Sequence, residues 1–200
     1  MLGKTHVAVG VATALAVLHP ASISGCMCAV AGGALGGWIS DIDVRDSGRA
    51  HDVLQGAVMA VGASIVALGY DTYRGGSAFL YVMSHLGPQT VCAVVALFVL
   101  CVVGARTAHR SFTHSIVGMA LFVIAVLALC APLAPAFALG FASHIALDVL
   151  NYQRVRLFYP HGRGWALGIC HSSGTVNNLL LCLALTASIG LIIWLVTPVP

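Results

Sequence analysis

A chain of 200 residues that is 60% hydrophobic and only 8% charged has too few charges to cover a surface that faces water. Soluble globular domains carry about 25% charged residues, so a soluble fold is excluded and the lipid bilayer is expected to be the solvent. The formal net charge of +3 does not supply the broad basic surface that nucleic-acid binding requires. No direct nucleic-acid partner is therefore expected.

Apolar runs predict an all-α, polytopic transmembrane helix bundle with six or seven membrane segments and a polar site at one membrane face. The chain is expected to be one integral membrane domain, 1–200, with a site-bearing core at 5–160 and a C-terminal loop and last helix at 161–200. The predicted segments lie near 5–18, 21–39, 53–70, 77–105, 113–131, 135–150 and 175–196. The first is short for a crossing, which needs about 20 residues, but is expected to be a helix rather than a cleaved signal peptide. Its end is predicted at His19-Pro20, because proline cannot continue a helix.

Cysteine and acidic residues narrow the available chemistry. The seven cysteines lie mostly in apolar runs and form no C-x-x-C pair, so they are expected to be small buried hydrophobic residues rather than zinc ligands. The six acidic residues are all aspartates, with no glutamate in the chain. Any general base must therefore be an aspartate, a histidine or a metal-bound hydroxide.

Counting the crossings brings separate polar clusters to one end of the bundle. The first two predicted segments form a hairpin, and each later pair of segments returns the chain to the same face. The residues expected to meet there are His6, Asp41, Asp43, Arg106, His109, Arg110, His144 and Asp148. Most Lys and Arg residues also fall on this face, so the positive-inside rule predicts that it is cytoplasmic.

His144 and Asp148 stand four residues apart in an otherwise apolar helix, so they share one helical face. Ionisable groups in membrane helices are costly and often functional. The alternative is a structural pair, in which Asp148 and His144 satisfy each other by a hydrogen bond within the bundle. Asp41 and Asp43 follow the end of the second segment, and paired carboxylates suit metal cations. The alternative is a solvated helix end, which the helix dipole disfavours for carboxylates.

The densest polar string runs from His109 to Ser115, His-Arg-Ser-Phe-Thr-His-Ser. Ser111 or Thr113 is expected to cap the following helix, with His109 in the loop and His114 in the first turn. Neutral imidazole is the commonest metal ligand, and the planar fork of Arg110 suits a phosphate or a carboxylate.

Together these motifs resemble the YdjM-like family of inner-membrane proteins, whose members are described as metal-dependent hydrolases. The resemblance rests on Thr5-His6, Ser40-Asp41-Ile42-Asp43, the string from His109 to Ser115, Ser143-His144 with Asp148, and Tyr159-Pro160. The family is thought to share a metal-site pattern with zinc-dependent phospholipase C. By that resemblance the metal ligands are His6, Asp41, His109, His114, His144 and Asp148, with Asp43 as a further candidate.

Three departures concern loop shape and substrate contacts more than metal binding. The family usually has glycine where Ser111 stands, often histidine where Val44 stands, and glycine near Arg154.

The resemblance implies a membrane-embedded hydrolase that acts on a phosphoester of a lipid or lipid-linked substrate. One or two metal ions would be bound, zinc by preference, with manganese or iron as alternatives. Asp43 would orient or deprotonate the attacking water, and Arg110, Arg154 and Arg156 would bind the phosphate. Asp148 has a second possible role, which is to orient His144.

Two other functions stay open at this stage. Intramembrane Asp and His also mark the ion pathways of proton- or ion-coupled transporters, although such sites usually lie near the bilayer midplane. A non-catalytic membrane adaptor for a regulatory protein is the other alternative, with metal only holding the helices together. In each case membrane lipids are the expected surroundings, and the basic face suits anionic headgroups.

Overall fold

A computed structural model describes residues 1–44, Gly75 and residues 87–197 of the chain. The predicted segment 53–70 and the first part of the predicted segment 77–105 lie outside these residues. Within the described residues the fold is helical, with six α-helices and no strand. The predicted all-α class is therefore confirmed.

The helix bounds follow the predicted apolar runs closely. They are α1 (Gly3–Leu18), α2 (Ile23–Ile39), α3 (Pro88–Arg106), α4 (Ile116–Leu129), α5 (Ala134–Val149) and α6 (Thr175–Val196). Short 3-10 turns follow α2 at Ser40–Asp43 and precede α4 at Phe112–His114. As predicted, α1 ends at His19-Pro20, where His19 adopts a left-handed φ of 42°.

Four helical segments of the described chain are long and apolar enough to cross a membrane: Ile23–Asp43, Pro88–Arg106, Ala131–Val149 and Thr175–Leu195. α1 and α4 are apolar but shorter. At about 1.5 Å per residue they extend roughly 24 Å and 21 Å, less than the bilayer core of about 30 Å. The count of six or seven membrane segments therefore remains a prediction.

Small residues let α1, α2 and α5 pack closely, with α2 and α5 parallel to each other and α1 antiparallel to both. A Cβ atom on Gly33 would lie 2.6 Å from the carbonyl oxygen of Gly10, and one on Gly140 would overlap the backbone of Gly33. Close approach through small residues is the usual way in which membrane helices associate. We call α1, α2 and α5 the inner helices; the start of α1 and the ends of α2 and α5 lie at one end of the bundle.

Candidate metal centre

That end of the bundle collects most of the predicted site residues. His6 lies in the first turn of α1, Asp41 and Asp43 in the 3-10 turn after α2, and His144 and Asp148 in the last turns of α5. The loop between α3 and α4 adds His109, Arg110 and His114. Arg154 and Arg156 lie in the segment after α5 with exposed side chains.

Two imidazole nitrogens lie close to each other, and each lies close to an oxygen of Asp41 and an oxygen of Asp148; we call these four atoms the cage. Nε2 of His114 lies 3.2 Å from Nε2 of His144, 3.2 Å from Oδ2 of Asp148 and 3.9 Å from Oδ1 of Asp41. Nε2 of His144 lies 3.6 Å from the same Asp41 oxygen and 3.8 Å from the same Asp148 oxygen. Both imidazoles are fully buried, and the Asp41 side chain is 20% exposed.

These separations fit a metal ion. Zinc bonds to nitrogen and oxygen of about 2.0–2.2 Å place neighbouring ligands of a tetrahedron about 3.3–3.6 Å apart. The five separations that involve an imidazole nitrogen of the cage range from 3.2 to 3.9 Å, and the ligand atoms of Asp41, His114 and His144 all lie within 4.8 Å of one another. Two imidazole nitrogens that face each other at 3.2 Å need a shared proton or a cation between them. Two carboxylates beside them supply the negative charge that a divalent cation would balance.

The outer nitrogens of both imidazoles are held so that Nε2 faces the cage with its lone pair. Nδ1 of His144 donates to the carbonyl oxygen of Gly37 at 2.8 Å, and a carbonyl only accepts. The Thr113 hydroxyl donates to Asp43 at 2.8 Å, so its oxygen accepts from Nδ1 of His114 at 3.0 Å. Such partners on the outer nitrogen typically orient metal-binding histidines.

Asp43 is buried and fully engaged with the loop before α4. Its Oδ1 lies 2.7 Å from Nδ1 of His109, while its Oδ2 accepts from the backbone N–H of Arg110 at 3.0 Å and from Thr113. Arg110 adopts a left-handed φ of 62°, which is uncommon outside glycine and is found at functional sites. The 3-10 turn thus sends Asp41 to the Nε2 edge of His114 and Asp43 to its Nδ1 edge.

Asp148 has its second oxygen occupied by other partners. Oδ1 accepts from Nη2 of Arg110 at 3.1 Å and lies 3.3 Å from Nε2 of His6. The backbone nitrogen of Met1 lies 3.2 Å from the same atom. The ring of His6 stacks on that of His144 with centroids 3.8 Å apart. His6 is therefore beside the cage, bound to the outer oxygen of one of its carboxylates.

Arg110 is a buried member of the centre rather than a surface cation. It is 6% exposed, and Nη1 donates to the carbonyl oxygen of Gln153 at 2.8 Å. Its Nε and the Nδ1 of His6 are buried without a hydrogen-bond partner among the described residues.

The electrostatics of His114 show how strongly the centre attracts positive charge. Burial lowers the pKa of His114, but its hydrogen bonds with Asp148 and Asp43 outweigh burial and raise the pKa to about 9. A proton on His114 is therefore favoured when no other cation is bound. A metal ion would take the place of that proton.

Three contributors to the site were not predicted from the sequence. Thr113 was expected as a possible cap of α4, but its hydroxyl is bound to Asp43 and Ser115 caps the helix, accepting from the N–H of Gly118 at 2.9 Å. That expectation was wrong for Ser111 also, because its hydroxyl donates to Ala108. No sequence signal marks the Gly37 carbonyl.

Asn177 is the third contributor to the site that was not predicted from the sequence. It is fully buried, and its Oδ1 accepts from the backbone N–H of Leu2 at 3.1 Å. The bond ties the first turn of α6 to the start of α1, which carries His6. The one available signal is the Asn177-Asn178 pair at the start of an otherwise apolar helix.

Apolar helices of membrane-spanning length with a buried His/Asp centre at one end define an integral membrane protein with a candidate metal site. The chain belongs to the YdjM family: the family described as "YdjM inner membrane protein" matches residues 1–199. This confirms the resemblance found in the motifs, and with it the inner-membrane character. Comparisons with curated proteins and with solved structures find no match to this chain.

Proposed function

We propose that this chain is a membrane-embedded metal-dependent hydrolase that cleaves a phosphoester of a lipid or a lipid-linked molecule. The observation that carries the proposal is the cage, in which the two imidazole nitrogens lie 3.2 to 3.9 Å from each other and from the two carboxylate oxygens. Buried polar clusters in membrane helices are costly, which argues for a functional role.

His114, His144, Asp41 and Asp148 would hold the metal. Two imidazoles and two carboxylates without a thiolate suit zinc, and manganese or iron as alternatives. When bound, the metal would supply a Lewis acid and lower the pKa of a coordinated water toward 7. A second ion has two candidate positions, at His6 with His144 and Asp148 and at His109 with Asp43 and His114.

His109 and Asp43 have the arrangement of a proton-transfer pair. Asp43 is buried, holds Nδ1 of His109 at 2.7 Å and has no oxygen facing the cage side of His114, whereas the His109 side chain is 35% exposed. We assign the proton transfer to His109 and its orientation to Asp43, in the way that a buried aspartate orients a catalytic histidine. Asp43 thereby keeps a role in activating the attacking water, but acts through His109.

Arg110 is proposed to act on both metal and substrate. Its Nη2 donates to Asp148, which fixes one cage ligand. Its Nε is buried without a partner among the described residues, and we assign it to a phosphate oxygen of a bound substrate. Arg154 and Arg156 are exposed on the adjacent segment and would attract the anionic headgroup. By the positive-inside rule the site would open toward the cytoplasm.

The test is metal content by elemental mass spectrometry on detergent-purified protein. The wild type is compared with an Asp41→Ala, His114→Ala, His144→Ala variant and with His161→Ala, which removes an exposed histidine outside the cage. Stoichiometric metal is expected in the wild type and in His161→Ala, and none in the triple variant.

Absence of metal from the wild type after reconstitution with zinc, manganese and iron would overturn the proposal. Loaded protein is then assayed for phosphate-ester cleavage in proteoliposomes of mixed phospholipids. Uptake of an ion or solute without hydrolysis would favour the transporter instead.

A further inference from the structure

A rigid hairpin joins α5 to α6 beside the metal centre. Val155 and Trp165 exchange two backbone hydrogen bonds, each of 2.8 Å. Leu167 donates to the carbonyl oxygen of Val149 at 2.7 Å and Ile169 to that of Leu150 at 2.9 Å. We call residues 154–169 the site hairpin. Its backbone is fixed to the end of the helix that carries His144 and Asp148.

The inner side of the site hairpin packs against the loop of the metal centre. The N–H of Arg156 donates to the carbonyl oxygen of Arg110, and that of Ile116 to the carbonyl oxygen of Leu157, each at 3.0 Å. Val155 is fully buried, and the Tyr159 ring lies 6.1 Å from that of Phe112. The position of the hairpin is therefore set by the same loop that supplies His109 and His114.

The exposed side chains of the site hairpin are both apolar and cationic. Its exposed apolar side chains are Phe158 (57%), Trp165 (58%), Leu167 (62%) and Ile169 (67%). Its exposed cations are Arg154, Arg156 and Arg163. No acidic residue occurs in the sequence after Asp148, so the site hairpin itself contains three arginines and no acidic side chain.

We propose that the site hairpin docks on anionic phospholipid headgroups of the membrane that the helices occupy. The hairpin is bracketed by the candidate spans Ala131–Val149 and Thr175–Leu195, which places it at the edge of the bilayer. Tryptophan and other large apolar side chains interleaved with arginine are typical of that interface, and arginines near it attract anionic lipids. Charge complementarity selects anionic over zwitterionic headgroups, and the docking does not depend on the proposed hydrolysis.

The experiment uses Trp165 as the probe. Trp38→Phe and Trp194→Phe leave it as the sole tryptophan of the three in the chain. The protein is placed in nanodiscs of phosphatidylglycerol and phosphatidylcholine in equal amounts, with brominated acyl chains on one lipid or the other. The lipid composition is the same in both samples, and only the lipid that carries the bromine quencher differs. Fluorescence of Trp165 is expected to be quenched several-fold more strongly by brominated phosphatidylglycerol.

The arginines are tested by Arg154→Gln, Arg156→Gln and Arg163→Gln together, which should abolish the preference. The corresponding lysines should restore it, which guards against misfolding of the glutamine variant. Lys4→Gln is the matched control, because Lys4 is an exposed cation near the start of α1, outside the hairpin; it should keep the preference.

Three results would overturn the proposal. Equal quenching by both lipids would remove the charge selectivity, and a preference that survives in the glutamine variant would remove the arginines from it. Absence of quenching by either lipid would place the hairpin away from lipid, facing water or a protein partner. Because the readout needs neither metal nor hydrolysis, its failure would remove the headgroup role of Arg154 and Arg156 but leave the proposed metal site and hydrolysis standing. Failure of the proposed hydrolysis leaves this docking testable.

Discussion

In the candidate spans that include α2 and α5, 39% and 50% of the residues in the apolar stretch are buried inside the protein, whereas the share is 11% for α3 and 11% for α6. All four are long and apolar enough to cross a membrane, so apolar character alone does not separate them. The inner helices bury glycine faces against each other. In contrast α3 and α6, which we call the outer helices, expose large side chains such as Phe98 and Ile189. In lipid, packing of small residues rather than hydrophobicity decides which helices form the core.

This difference explains where the polar centre lies. Cage ligands must keep their geometry to within about 0.5 Å, which requires helices whose backbones touch. Gly37 shows the connection, because a Cβ there would lie 2.6 Å from the carbonyl oxygen of His6, and its own carbonyl orients His144. One glycine on α2 thus fixes residues of both other inner helices.

The largest effect on metal binding and stability should come from removing a carboxylate that both binds the metal and pairs with a buried cation. Asp148→Asn is expected to abolish stoichiometric metal binding and to destabilise the metal-free protein by about 3 kcal/mol or more, because buried Arg110 loses its anionic partner. Asp41→Asn is expected to abolish metal binding but cost about 1 kcal/mol or less, since the Asp41 side chain is 20% exposed and its ion-pair partners among the described residues are the two cage imidazoles. Elemental analysis and thermal unfolding in detergent measure both quantities. Equal destabilisation by the two variants would contradict the assignment of Arg110 to Asp148.

The packing of the inner helices is tested by a single methyl group. A Cβ on Gly36 would overlap the carbonyl oxygen of Phe137, whereas one on Gly190 of α6 would meet nothing within 4 Å. Gly36→Ala is therefore expected to lower the free energy of unfolding by about 2–3 kcal/mol, the upper range for overpacking. Gly190→Ala should be neutral or stabilising by up to about 1 kcal/mol, because alanine favours helix. Similar thermal midpoints for the two variants would remove the distinction between inner and outer helices.

The sequence predicted much of this arrangement because apolar helices contain few polar residues, so each one is a candidate member of the site. The helix class, the ends of α1 and α2, and the four-residue spacing of His144 and Asp148 follow from periodicity and from the proline at residue 20. The family followed from the motifs.

Sequence could not separate the roles of Asp41 and Asp43. The two have the same chemistry and stand two residues apart, and only the 3-10 turn at Ser40–Asp43 directs them to opposite edges of His114. Nor could the sequence decide whether Arg110 binds a phosphate or a carboxylate; the structure buries it and pairs it with Asp148. Long-range hydrogen bonds decide these roles, and they leave no local pattern.

A variant of His109 tests whether this residue is a metal ligand or a base that Asp43 orients. If it lies outside the cage, His109→Ala should lower metal affinity by about 10–100-fold, as loss of an outer partner does, and should lower kcat more than that loss explains once metal is saturating. His114→Ala should lose the metal altogether. Competition with a chelator of known affinity measures the first quantity, and the metal-loaded assay the second. Equal loss of metal in the two variants would make His109 a ligand and would support a second ion at Asp43.

The smallest predicted effect is a pH dependence centred on His114. With its pKa raised from 6.5 to about 9, His114 is protonated at neutral pH in the metal-free protein, and this contribution to stability is fully present below pH 6.5 and lost as pH rises through 9. Metal affinity has the opposite pH dependence and increases as the pH rises, because His114 must lose its proton before it can bind the metal. Apparent affinity is expected to rise about tenfold per pH unit between 7 and 8 and to level off above 9, if one proton is displaced. Calorimetry in buffers of different ionisation enthalpy should detect about one proton released per metal ion at neutral pH, unchanged in His161→Ala; zero release would mean that His114 is already neutral and that the two aspartates do not govern its charge.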